Sequence, residues 1–395
     1  MKTTMTDRRP RIVAALMLAT LCALFATHVV SGAGGPVQQN PANAAQPPKK
    51  NPLLKLAEPW PSAEQLRQRK AATEALALFA GTDPIAFTLA GDFKTVNKDH
   101  DPNSTKTYPA ELRHAREDGR IDAIPVTLST RGHLRRMART CDFVPLRVEF
   151  PKNRRKDTMF DGQSALKLVV QCAGGGDYEQ YLLREYLAYR IFNLLTPHSF
   201  RARLAKVTYV DPAGKAMGMR YGMFLEDDDD VAKRMEGRAV ELPRAQFKDV
   251  DPDARETMMV FNYMIGNTDF SIYALHNVIF VQMPDRRLHT VPYDFDVSGL
   301  VHPPYAIPAR GLPIKTVQDR LYRGPCRAVD QVQPILANFI AKKDLVMGLV
   351  DAIADMDKMS RQEAKVFLNG FYSEIKSERN VKWLFLEGCL KAPAM

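Results

Sequence analysis

The sequence predicts an α+β fold with a β-rich N-terminal half and an α-rich C-terminal lobe. Three observations predict it. Short stretches of apolar alternation, broken by Asp, Asn, Gly and Pro clusters, begin at Asp83 and recur as far as Leu225. A separate hairpin pattern follows, with VIFVQM and LHTVPYDF as its strands and PDRR as its turn. From Arg327 to Leu390 the spacing becomes helical in VDQVQPILANFIAKK, DLVMGLVDAIADM and RQEAKVFLNGFYSEIKS. A chain of 395 residues with 45% hydrophobic content has room for two or three domain-sized units, and this composition excludes a disordered protein.

The first segment has the order of an export signal. Lys2, Arg8, Arg9 and Arg11 precede an apolar run from Ile12 to Val30, and the small residues Ser31, Gly32 and Ala33 follow. Residues 1–33 are therefore expected to be removed on export, to a periplasmic or extracellular location. An uncleaved membrane anchor is the alternative, because the run is long enough to span a bilayer. Residues 34–61, rich in Gly, Pro, Gln, Asn and Ala, are expected to be a flexible linker. Residues 62–140 read as a helix, PSAEQLRQRKAATEALALFA capped by Ser62, followed by a small β-rich region. That region ends in the arginine-rich RGHLRRMAR, which reads as a solvated basic face or as a contact for phosphate or an acidic partner. The formal charge of +10 stays positive after loss of the signal. No aromatic interleaving or nucleic-acid module accompanies it, so attraction to an anionic envelope surface is the natural reading and nucleic acid is not an expected partner. Beyond Cys22, the cysteines are Cys141, Cys172, Cys326 and Cys389. Two local disulfides, Cys141 with Cys172 and Cys326 with Cys389, are expected, with the other two pairings left open.

In residues 141–226, Lys167 sits among Leu166, Leu168 and Val169 of a strand, and an ammonium there needs an anion. The helix DYEQYLLREYLAYRIFNLL, with Asp177 as its expected cap and Pro197 as its stop, carries Glu185 on a mostly apolar face. A Lys167–Glu185 ion pair is the expected solution for both charges. It matches the strand-lysine and helix-glutamate pair with which kinases hold the phosphates of a nucleotide. The next pair of strands ends in the acidic run Glu226 to Asp230, which reads either as a solvated helix start or as a nucleotide contact. In the second reading Glu226 is the candidate to face the ribose or a second metal.

The chemistry is expected in the stretch Gly266 to Gly299, where Asp269 and Asn277 precede the hairpin and Asp294 ends it. Phosphoryl transfer needs a carboxylate to orient the attacking hydroxyl, and an Asn and an Asp to hold magnesium against the triphosphate. In that scheme Asp269 is the catalytic residue, while Asn277 and Asp294 are the metal ligands. Arg320 and Arg323, in the Pro-rich segment after Gly299, are candidates to hold a phosphate or to cap the helices that follow.

YGMFLEDDDD, LLREYLAYRIFNLL and PYDFDVSG together resemble the spore-coat protein H type of secreted kinase, over roughly Val144 to Cys326. The resemblance implies a two-lobed protein-kinase-like fold with 141–226 as N-lobe and 227–395 as C-lobe, using ATP and Mg2+. It implies that Lys167 contacts phosphates with Glu185 orienting it, that Asp269 is the catalytic aspartate, and that Asn277 and Asp294 ligate magnesium. PYDFDVSG is similar to the element corresponding to DFG in protein kinases, with Asp296 in the place of the glycine. Two departures stand out: Asn277 follows Asp269 at a longer spacing than in HRDLxxxN, and no GxGxxG loop precedes Lys167, only Gly162. The expected function is an exported kinase acting on a hydroxyl of a protein or envelope component. A catalytically silent pseudokinase or envelope scaffold is the alternative, and a hydrolase using paired carboxylates is a further one.

Overall fold

Seven strands of the N-terminal half close into a mixed barrel, and this overturns the two-lobed kinase-like fold expected from the sequence. The computed structural model describes residues 54–391 apart from residue 243; the expected signal, and the linker up to residue 53, lie outside the described residues. The barrel strands are β1 (Ile85–Gly91), β2 (Tyr108–Ala115), β3 (Ile121–Thr130), β4 (Leu146–Glu149), β5 (Ala165–Val170), β6 (Ala202–Val210) and β7 (Ala216–Leu225). Their order around the barrel is β1-β2-β3-β4-β5-β7-β6. All neighbours are antiparallel except β6 and β1, which run parallel from Ile85↔Ala205 to Ala90↔Val210 and close the ring. The physical reason for the correction lies at the boundary drawn after residue 140. There β3 pairs directly with β4, from Thr127↔Glu149 to Thr130↔Leu146, so the strands assigned to an extension and to a lobe belong to one sheet. Closure leaves neither end of that sheet as an open edge.

The barrel has a core of its own. Phe87 stacks on Phe224 with ring centroids 5.5 Å apart, and Phe150 on Phe160 at 5.0 Å, among the buried Leu89, Leu112, Leu128 and Leu168. These large side chains are what a small barrel needs to fill its interior. A second core joins the helices Gly176–Leu195, Pro252–Ile265, Val329–Ala341, Lys343–Ala352 and Lys358–Ile375 to a three-stranded sheet. That sheet consists of β8 (Arg238–Val240), β9 (Val278–Gln282) and β10 (Leu288–Pro292), in the order β10-β9-β8. The β9–β10 hairpin and the C-terminal helices fall where periodicity puts them. The short β8 was not read from the sequence.

Local chemistry sets the element ends. Ser62 makes a full capping box with Gln65 at the start of the helix Ala63–Glu74. Asp177, by contrast, lies inside its helix, which begins at Gly176 without a side-chain cap, so the carboxylate serves the first-turn dipole instead. Residues 54–61, assigned to the linker, include the helix Leu54–Ala57 and a Trp60 ring on which the Arg238 guanidinium stacks at 4.0 Å. The disulfides Cys141–Cys172 and Cys326–Cys389 are both present. They are compatible with an exported protein. No helix among the described residues is long and apolar enough to cross a membrane.

The helix Pro252–Ile265 delivers the chain to the candidate site. Asp251 caps it by accepting from the Asp253 and Ala254 amides, Pro252 occupies its first turn, and Gly266 ends it in the left-handed region at φ 65°. Gly266 O accepts from Gly299 N at 3.1 Å, so the two glycines bracketing the candidate stretch lie against each other. A Cβ on Gly299 would collide with Val317 O and come within 2.8 Å of the Phe367 ring. Gly299→Ala is therefore expected to cost about 1–3 kcal/mol, as overpacking does, and thermal unfolding measures it.

Candidate functional site

Asp269 leaves the helix Pro252–Ile265 on a loop that is fixed from several sides. The Asn267 side chain donates to Asn262 Oδ1 at 2.9 Å and accepts from the Asp269 amide at 3.0 Å. Arg323 donates to the carbonyls of Thr268 and Phe270, on either side of Asp269. Arg323, a candidate to hold a phosphate or cap a helix, here braces this loop through Nη1. Arg320 does parallel work, donating to Met264 O and Phe367 O.

The loop and hairpin bring the predicted catalytic residue and one predicted metal ligand into contact. Asn277 Nδ2 donates to Asp269 O at 2.7 Å and to Oδ2 at 3.2 Å, and His276 Nε2 lies 3.1 Å from Oδ1. The hydrogen bond to Asp269 raises the His276 pKa, against the effect of its partial burial. Asp294 joins from the end of β10: Tyr293 N donates to Asn277 O at 3.0 Å, and Asp294 N donates to Tyr189 Oη at 2.8 Å. Asn277 and Asp294 both hold left-handed backbones, φ 54° and 62°. Asn and Asp tolerate that region better than other side chains, and residues held there cluster at functional sites.

Lys167 does not pair with Glu185. Its ammonium sits 2.5 Å from Asp228 Oδ1, over the rings of Tyr293 at 5.0 Å and Phe200 at 5.4 Å. The acidic run supplies a nearer anion than the helix does. Glu185 instead shares a buried cluster with Asp296 and Arg135, the last contributed by RGHLRRMAR. Arg135 Nη1 is 3.9 Å from Glu185 Oε2, Arg135 Nε is 3.9 Å from Asp296 Oδ2, and Tyr305 donates to Asp296 at 3.1 Å. Arg135 also donates to Val170 O. Glu185 is 1% exposed, and its Oε1 has no hydrogen-bond partner.

Burial first, and then neighbouring carboxylates, push both carboxyls up: Glu185 well above the ordinary range, under the charges of Asp296 and Asp294, and Asp296 to about 7, under that of Asp294. An unfolded Asp titrates near about 3.9. The Asp296 contribution to stability is thus fully present below that pH and lost as pH rises through about 7. The unfolding temperature of the native chain is expected to fall across this window, and Asp296→Asn to flatten the fall, in calorimetric scans at a series of pH values.

Glu226, the candidate for the ribose, is committed elsewhere. Its side chain has no exposed surface and accepts from Arg201 Nε at 3.0 Å and Nη2 at 2.8 Å, and from Arg234 Nε at 2.8 Å and Nη2 at 2.7 Å. Two guanidiniums and the Arg201 amide, which donates to Oε2 at 3.1 Å, occupy both oxygens, which leaves none for a nucleotide.

No group of three or more His, Cys, Asp and Glu side chains among the described residues is arranged to hold a metal. The uncommitted oxygens here are of another kind. With Nδ2 given to Asp269, Asn277 Oδ1 receives no donor among the described residues, and neither does the half-buried Asp294 carboxylate. One carboxylate and one amide oxygen fit magnesium, which keeps several waters and takes its remaining ligands from phosphates. Nearby cations are Lys167 and Arg131, whose charges act on the surroundings of Tyr293.

The chain matches no protein-family model and no curated protein.

His276 and Arg135 carry parts in the site that the sequence reading did not assign. His276 adjoins Asn277 in sequence, which was its only signal. For Arg135 the signal was the density of arginines, which a solvated face shows equally well.

Proposed function

We propose that the chain is an exported phosphotransferase that moves the terminal phosphoryl group of ATP onto a hydroxyl, acting in the periplasm or outside the cell. The observation that carries this reading is the contact of Asp269 with Asn277, at 2.7 and 3.2 Å, beside Asp294 in the same left-handed conformation. It is the donor set that the spore-coat protein H type resemblance implies, on a different architecture.

Magnesium, when bound, would supply positive charge against the charge that builds on the phosphate oxygens. Asn277 Oδ1 and Asp294 are the residues that would hold it. Asp269 would accept the proton of the attacking hydroxyl as the new O–P bond forms and the bond from the terminal phosphorus to the bridging oxygen breaks, releasing ADP. His276 and Asn277 fix the orientation of that carboxylate. Lys167 and Arg131 are the cations available to the triphosphate; Lys167 would exchange its contact with Asp228 for phosphate oxygens.

The test is calorimetric titration of the purified chain with ATP, with and without Mg2+, followed by incubation with labelled ATP and envelope extract. Magnesium-dependent binding is expected in the native chain and absent in Asp294→Ala. If the native chain binds no ATP under either condition, the reading fails and the silent scaffold replaces it.

A further inference from the structure

A cleft of about 780 Å³ opens beside the Asp269 loop. Phe270 and Ile272, from the residues just after Asp269, line it together with Phe247, and Arg323, Lys248 and Lys391 supply charge to it. Its size falls within the roughly 300–1,000 Å³ of small-molecule sites. Part of the lining is stapled. Pro325 pairs with Leu390, Leu390 N donates to Gly324 O at 2.8 Å, and the Cys326–Cys389 disulfide joins the two segments. Three cations and no carboxylate line the cleft among the described residues. An apolar floor with an exclusively cationic set of charges is complementary to an amphipathic anion, not to a neutral sugar or a basic peptide.

We propose that this cleft binds the phosphoryl acceptor, and that the acceptor is a single-chain amphiphile with an anionic head and a hydroxyl. The apolar chain lies on Phe247, Phe270 and Ile272, the anionic head meets Lys248 and Lys391, and the hydroxyl reaches Asp269. Arg323 couples the two sites. It lines the cleft while holding both carbonyls that flank Asp269, and the Asp269 charge acts on its guanidinium. The acceptor role rests on the phosphotransferase reading; binding in the cleft does not.

The experiment uses the oxidised full chain with 12-hydroxydodecanoate and, as a charge-reversed control, dodecyltrimethylammonium. Calorimetry without nucleotide is expected to show saturable binding of the anion only. The exposed pair Lys248→Glu/Lys391→Glu should weaken it about tenfold, as reversal of two rim charges does, with magnesium-dependent ATP binding unchanged. Equal binding of the ammonium compound, or indifference to the charge reversal, overturns the site. With labelled ATP, label is expected on the 12-hydroxyl group. Binding of the anion with label passing only to other acceptors overturns the acceptor role and leaves the phosphotransferase standing. Anion binding in a chain that binds no ATP supports the cleft as a binding site while ending the phosphotransferase reading.

Discussion

Asp269→Asn is expected to lower phosphoryl transfer by about 100-fold or more while changing ATP affinity little, because it removes a proton acceptor and keeps a side chain of the same shape. The surroundings make this a specific test. Asp269 accepts from Asn277 and lies against His276, and neither contact requires the nucleotide. Asp294, whose backbone amide is held by Tyr189, remains in place to serve the metal. The same variant has a second readout that does not depend on activity. The hydrogen bond to Asp269 is the largest cause of the raised His276 pKa, so that pKa should fall toward the ordinary histidine value, visible by NMR titration. Loss of ATP binding equal to that in Asp294→Ala would remove the division of roles between the two aspartates. An unchanged His276 titration would remove the contact itself.

How far the site could be read from sequence depends on the distance over which each interaction forms. Asp269 and Asn277 were recoverable together because a short loop separates them and the β9–β10 alternation beside them is strong. The disulfide partners were recoverable for a similar reason, since each pair flanks one local run of elements. Barrel closure was not recoverable: alternation marks β1 and β6 as strands, but nothing in Ile85–Gly91 or Ala202–Val210 names the other as partner. The error at Lys167 has the same origin. Amphipathic spacing shows that Glu185 is buried and needs a cation, yet two cations satisfy that need, and Arg135 of a distant basic stretch is the one that faces it. Asp228 then takes Lys167. Periodicity gives burial; it does not give the partner of a buried charge.

Glu226→Ala is expected to destabilise the fold by about 3–5 kcal/mol, the usual cost of leaving one side of a buried ion pair without its counter-charge. Here two guanidiniums would be stranded. Arg234 retains only Pro197 O and Ser199 O, and Arg201 keeps the carbonyls of Thr73 and Phe79. Those same bonds show what the carboxylate organises: the C-terminal end of the helix Ala63–Glu74, the turn after the helix Gly176–Leu195 and the end of β7 all converge on it. Denaturant titration should show a lowered midpoint, and the free energy should be recovered in large part by Glu226→Leu combined with Arg201→Met and Arg234→Met, since an apolar replacement of the whole cluster strands no charge. The comparison decides between the structural role and the nucleotide role suggested by the sequence. A Glu226→Ala chain that unfolds at the native midpoint yet fails to bind ATP would return this carboxylate to the site. Loss of stability, with ATP affinity unchanged at a temperature where the variant is folded, assigns it to the joint between barrel and helices.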